Sequence, residues 1–131
     1  MNSKWHILGA GAVGSLWGCH LSSSGFDVCL ILRDADKLAL FEKENVLSLQ
    51  QDEQTHSFPA SAELTTSPEP IHQLLITTKS IDTQEAVNAI RDRLVSTPRI
   101  IILQNGMGSQ QWLSEQLPNA EIAWGSTTDG V

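Results

Sequence analysis

The chain has 131 residues, 40% apolar and 18% charged, and its 15 acidic against eight basic side chains leave a formal net charge of −7. That length suits one domain with one hydrophobic core, and the composition is that of a folded protein rather than a disordered tail. The acidic balance repels phosphate backbones and argues against nucleic acid as a general partner.

The opening "MNSKWHILGAGAVG" carries one lysine and a short apolar run broken by glycines. It reads as neither a signal peptide nor a membrane span, which needs about 20 apolar residues. Within it, residues 5–8 predict a short strand ending at Gly9. From Ala12 to Ser24 a helix follows, with Val13, Leu16, Trp17 and Leu21 near one face and Gly25 as its stop. "DVCLIL" (27–32) is a nearly continuous apolar run, as expected of a strand covered on both faces. "ADKLALFEKEN" predicts a second helix.

Between 46 and 64 the pattern changes. "VLSLQ" and "THSFPASAEL" alternate on either side of the polar "QDEQ", which predicts a small antiparallel strand pair near 46–62 with Pro59 at an edge. "SPEP" (67–70) is a loop. "QLLITT" (73–78) predicts a buried strand, and 82–95 a helix with Asp82 as N-cap and Glu85 as its third-position partner. "RIIIL" (99–103), "SQQWLSEQL" (109–117) and "EIAWG" (121–125) predict strand, helix and strand. Strands alternating with helices indicate a doubly wound α/β fold with a mostly parallel sheet and helices on both faces. The chain stops at Val131, soon after that last strand, an abrupt place for a natural protein to end.

"GAGAVG" (Gly9, Ala10, Gly11, Ala12, Val13, Gly14) fits G-x-G-x-x-G between a strand and a helix, the context the motif requires. Gly9 allows a tight turn, Gly11 admits a pyrophosphate close to the backbone, and Gly14 lets helix and strand pack. The N–H groups at the helix start then face an anion. A residue about 20 positions on normally reads the ribose. Arg33 stands 19 residues after Gly14 and directly follows the apolar run; Asp34 comes next. A carboxylate there would favour NAD, whereas a guanidinium fork would favour the 2′-phosphate of NADP. Arg33 is expected to take that place, with Asp34 capping the following helix; the alternative leaves Arg33 pointing into solvent.

Lys79 falls at the carboxyl edge of the sheet, where open parallel sheets bind ligands. Alone it is an ordinary loop lysine; beside Arg33 it could clamp a 2′-phosphate. Asn105, in "LQNGMG", belongs to a common turn dipeptide, but at this edge its amide could bond a nicotinamide ribose or a substrate oxygen. Thr127 and Thr128 fall there too. His6, His20, His56 and His72 lack metal-ligand spacing, so no metal site is expected. Cys19 and Cys29 lie in apolar segments and read as buried thiols of a reducing cytoplasm. Trp5, Trp17, Trp112 and Trp124 read as core and interface residues.

Taken together, "ILGAGAVGSLWG", "LILR", "LLITTKSIDTQEAV", "IIILQNGMG" and "GSTTDGV" resemble the ketopantoate reductase (2-dehydropantoate 2-reductase) family over essentially the whole chain. The resemblance implies a Rossmann-type NADP-binding domain over residues 1–131. It also implies a cytoplasmic oxidoreductase that uses NADPH to reduce a small 2-keto acid, ketopantoate, toward pantothenate and coenzyme A. It makes residues 9–14 the pyrophosphate loop, Arg33 and Lys79 the 2′-phosphate residues, and Asn105 a residue touching both cofactor and substrate. Val131 falls at a cofactor-contacting position where the family usually has alanine. "TTKSID" and "TTDGV" depart from the commonest family forms, which leaves another 2-keto acid open as substrate. Family members carry a second, helical domain with the catalytic lysine; nothing here matches it, so the chain reads as the cofactor half and is expected to be inactive alone. Two alternatives stand beside this: a related dehydrogenase for another keto or hydroxy acid, and a dinucleotide-sensing module without turnover. Oligomeric state is not legible.

Overall fold

The computed structural model describes residues 4–9, 11–103 and 108–125. Six strands form one parallel sheet: β1 (Lys4–Leu8), β2 (Asp27–Leu32), β5 (Ser61–Leu64), β6 (Ile71–Ile76), β7 (Leu94–Leu103) and β8 (Glu121–Gly125). They lie in the order β5-β2-β1-β6-β7-β8, and every pairing among them is parallel. Counted along the sheet strands alone, this is the 3-2-1-4-5-6 order of the Rossmann fold. The strand order reverses between β1 and β6. A separate antiparallel pair, β3 (Val46–Gln51) with β4 (Gln54–Pro59), turns through Asp52 and Glu53, both at positive φ.

The helices are α1 (Ala12–Ser23), α2 (Ala35–Glu42), α3 (Ser80–Ile90) and α4 (Ser109–Gln116). Alternation along β1 feeds both faces of the sheet. Leu8 joins Ile31, Leu74, Ile76, Ile100 and Ile102 beneath Ala86, Val87 and Ile90 of α3 and Leu113 of α4. Ile7 joins Val28, Leu30, Leu32 and Leu75 beneath Cys19 of α1 and Leu47 of β3, with Leu38 and Phe41 of α2 packed alongside. The apolar runs read as strands are therefore covered on both sides, as a parallel sheet requires.

Four local expectations need correction. The stretch 54–64 is not one strand. β4 ends at Pro59, which has no N–H for the ladder, and Ser61–Leu64 leaves to pair with β2. The antiparallel pair therefore covers 46–59 rather than 46–62. The third helix starts at Ser80, with Lys79 as its N-cap and Asp82 inside its first turn. A Thr78–Thr83 hydroxyl contact (2.8 Å) and the Thr83 hydroxyl donating to the Lys79 carbonyl (3.1 Å) anchor the earlier start. The same helix ends at Ile90, and after a 3-10 turn over Arg91–Arg93 the chain is already in β7 at Leu94. Finally, the fully buried residues of α1 are Gly14, Gly18 and Cys19; of its large apolar residues Leu21 packs against the core only partly buried, and Trp17 faces out. A Cβ on Gly18 would meet Leu47 Cδ1 at 2.6 Å, so the helix lies too close for bulk on that side. Trp17 is left 41% exposed, its ring edge-on to His20.

A polar belt secures the crossover from β5 to β6. Arg93 donates through Nε to the Glu69 carbonyl (3.0 Å) and through Nη1 to the Leu64 and Thr65 carbonyls (3.4 Å each), and it pairs with the Glu63 carboxylate. Lys4 Nζ reaches Glu69 Oε1 at 2.6 Å. Among the described residues, no helix is long and apolar enough to cross a membrane.

Candidate nucleotide site at the strand-order reversal

Ligands of open parallel sheets bind outside the carboxyl ends of the strands, where the strand order reverses. Here that place lies between β1 and β6, and each of those strands delivers a distinctive turn. Gly9 follows β1 with φ +107, a conformation open to glycine; a Cβ there would also meet Thr77 Oγ1 and Thr78 N, each at 2.8 Å. Thr77, just past β6, holds this turn by donating its hydroxyl to the Gly9 carbonyl (2.6 Å) and its amide to the Leu8 carbonyl (2.9 Å). In the sequence Thr77 is one residue of "TTKSID" and has no distinguishing neighbour. Its role depends on contact between residues 68 apart in sequence and leaves no local signal.

The three motif glycines serve different needs. Gly14 is buried, and a methyl there would collide with the Gly9 carbonyl oxygen and sit 2.8 Å from Thr77 Oγ1, so close packing of α1 on β1 requires glycine. Gly11 is exposed, at φ −81 and ψ −164, and among the described residues a Cβ there meets nothing within 4 Å. The described residues therefore make no demand for glycine at position 11. Open space directly over the N-cap of α1 is what a phosphate approaching the backbone would need. No acidic residue occupies the first turn of α1, so the positive end of the helix dipole is uncompensated there. Ala12 is exposed and Val13 half-buried.

The two charges after β2 are placed differently. Asp34 is the N-cap of α2 and accepts the Asp36 amide at 2.8 Å, the capping role that the sequence predicts. Arg33 projects from the strand tip, its side chain 68% exposed, with Nη1 3.7 Å from Glu85 Oε1 on α3. Lys79 is exposed at the start of the same helix. Arg33 and Lys79 thus stand after β2 and β6, on either side of the β1 glycine turn. Ile81, 89% exposed next along α3, is an apolar side chain at this edge that the sequence did not single out. Ala10, Asn105, Thr127, Thr128 and Val131 lie outside the described residues.

A shallow groove lined by Lys4, Ser22, Phe26, Asp27, Pro59 and Ser61 opens at the other end of the sheet. The strands begin there, so no strand-to-helix turn presents amides to it. Shifted titrations cluster in the β1–β2–β5 region. Burial lowers the pKa of His6 and pushes the Cys29 thiol up to about 11, while Lys4 holds the Glu69 carboxyl below its ordinary value. Cys19 and Cys29 are both free and buried, as expected. Trp5 is in the core beneath α1 and Trp112 packs against the core on the opposite face of the sheet, whereas Trp124 is 66% exposed.

The chain matches the family described as "Ketopantoate reductase PanE/ApbA" over residues 5–131. It is 33% identical over 127 residues to the 2-dehydropantoate 2-reductase of Vibrio cholerae, covering 95% of this chain and 39% of that protein. It is 37% identical over 133 residues to the enzyme of the same name from Pyrococcus horikoshii, covering 98% of this chain and 40% of that protein. Among solved structures, a PanE/ApbA family ketopantoate reductase from Ralstonia eutropha superposes with a TM-score of 0.79 at 30% identity, covering 92% of this chain and 40% of that one. The chain thus spans well under half the length of these relatives.

Proposed function

The chain belongs to the ketopantoate reductase family, and on that premise we propose that it is the NADP-binding part of an oxidoreductase that reduces a 2-keto acid. The substrate that the named relatives favour is 2-dehydropantoate, reduced to pantoate on the way to pantothenate and coenzyme A. The observation that carries the cofactor reading is the division of labour among the glycines. Gly9 and Gly14 are needed by the fold, while at Gly11 no described residue would meet a side chain, which leaves room for a ligand to approach the backbone.

When bound, the nicotinamide supplies the hydride. The chain's own residues bind and orient. Residues 9–14 present backbone amides to the pyrophosphate. Arg33 offers a planar fork to the 2′-phosphate, and Lys79 adds a second positive charge; Asp34 spends one carboxylate oxygen on the helix cap. Asn105 is proposed to hydrogen-bond cofactor and substrate, and Val131 to touch the cofactor. The lysine that polarises the substrate carbonyl belongs, in this reading, to a helical domain beyond this chain. Two free buried thiols fit a reducing cytoplasm.

Isothermal titration of the chain with NADPH and NADH tests the cofactor assignment. NADPH is expected to bind at least tenfold more tightly; equal affinities refute it. Incubation with NADPH and 2-dehydropantoate is expected to give no turnover, and oxidation of NADPH by this chain alone refutes the placing of the catalytic lysine elsewhere. A panel of 2-keto acids offered to the longer gene product separates 2-dehydropantoate from its analogues.

A further inference from the structure

His6, Cys29 and Glu63 are remote in sequence and meet through parallel pairing. His6 and Cys29 are register partners on β1 and β2, so both side chains leave the same face of the sheet. Glu63 lies on β5 two residues beyond Ser61, the partner of Cys29, and therefore points the same way. An imidazole nitrogen, a thiol sulfur and a carboxylate oxygen converge there, all within 4.8 Å of one another. His6 and Cys29 are each 2% exposed. Among the described residues, neither imidazole nitrogen of His6 finds a hydrogen-bond partner. Nε2 lies 3.2 Å from Glu63 Oε1 and 3.9 Å from Glu69 Oε1, in range for an ion pair but without hydrogen-bond geometry. An unsatisfied buried polar group destabilises the fold, and among the described residues no hydrogen bond offsets that at His6.

We propose that His6, Cys29 and Glu63 bind a borderline-soft divalent cation of the zinc class. One nitrogen, one sulfur and one oxygen donor form a set that such ions accept, and hard ions such as magnesium disfavour the sulfur. On binding, the S–H bond of Cys29 breaks, its proton goes to solvent, and the thiolate electron pair forms the bond to the cation. Thiolate and carboxylate together balance the two positive charges of the ion. Arg93 and Lys4 stand nearby and oppose a cation, but each has other acceptors. Arg93 keeps the carbonyls of Leu64, Thr65 and Glu69 when Glu63 turns to the ion, and Lys4 keeps Glu69. The Lys4 and Glu69 side chains, 27% and 41% exposed, mark the side from which an ion would enter. Such an ion would staple β1, β2 and β5 together two residues below the end of β1. The site is separate from the nucleotide edge and does not depend on the reading given to that edge.

Titration of the chain with cobalt(II) under a phosphine reductant tests the proposal. One equivalent is expected to produce a thiolate-to-cobalt charge-transfer band in the near ultraviolet, removed by zinc. Cys29→Ser should abolish the band and Cys19→Ser should keep it, because Cys19 lies in the opposite core. No band in the folded wild-type chain overturns the proposal, as does a band that survives in Cys29→Ser. Should Cys29→Ser fail to fold, cadmium-113 NMR of the wild-type chain decides instead. A resonance in the range of a mixed sulfur, nitrogen and oxygen site supports the assignment, and an all-oxygen shift or no bound cadmium overturns it.

Discussion

Replacing Gly11 with alanine separates what the fold needs from what a ligand needs. The backbone there, φ −81 and ψ −164, suits alanine, and the new methyl would meet no described residue within 4 Å. Two small terms act on stability. Restricting the unfolded chain stabilises by about 0.4–1 kcal/mol, and a poorer N-cap costs roughly 0.5–1 kcal/mol. They nearly cancel, so the melting temperature should stay within about 4 °C of wild type, taking about 3–5 °C per kcal/mol for a domain of this size. A dinucleotide whose pyrophosphate approaches this point would meet the methyl directly. Overpacking of that kind costs about 1–3 kcal/mol, which is about a 5- to 150-fold loss of affinity. Gly14→Ala is the counterpart. Its methyl meets the Gly9 carbonyl and Thr77 Oγ1 within the protein, so it should lose about 1–3 kcal/mol of stability. The assay is thermal melting by circular dichroism, paired with calorimetric titration of NADPH into the same samples. If Gly11→Ala binds NADPH like wild type, the space over the α1 N-cap is not the pyrophosphate site. If instead it melts far lower, the claim that the fold makes no demand there is wrong.

Arg33→Ala should weaken NADPH by about 10- to 150-fold, the loss of a charge-assisted bond of about 1.5–3 kcal/mol, and leave NADH within about twofold; equal weakening of both on calorimetric titration would remove the case for a 2′-phosphate contact. Thr77→Val keeps the shape but removes the donor to the Gly9 carbonyl, at a cost of about 1 kcal/mol. Its melt should fall a few degrees and its NADPH affinity should fall with it; an unchanged melt would show that the turn does not rely on this bond. Acid melts test the Lys4–Glu69 pair. Glu69 is held below its ordinary 4.5, so its contribution is present above the unfolded carboxyl's range and is lost as pH falls through the depressed value. Lys4→Met should therefore flatten the acid limb of the stability curve, and an unaltered limb would assign that limb to other carboxylates.

The order of elements was legible because its signals are local. Continuous apolar runs bounded by glycine and charge mark buried parallel strands, and β2 runs from Asp27 to Leu32 as read. The glycine motif carried its own context, and Gly9 and Gly14 have the backbone and packing roles expected of them. Asp34 could be read as a cap because capping needs only the next two residues. Misreadings arose where two local signals conflicted. The alternation across Pro59 hid a strand that changes sheets, and the apolar stripe on α1 hid a helix whose closest approach is made by its small residues.

Residue types and their order along the chain thus determined the strand–helix alternation, the glycine turn and the charge that follows β2. Only the folded sheet decided which distant residues meet. Thr77 holds the Gly9 carbonyl, Arg33 faces Glu85, and His6 stands beside Cys29 and Glu63 because parallel pairing brings segments dozens of residues apart onto neighbouring rungs. Short-range propensity carries no record of which strand lies next to which. That is set by burying both faces of the sheet at once, a demand met by the whole chain and by no single stretch of it.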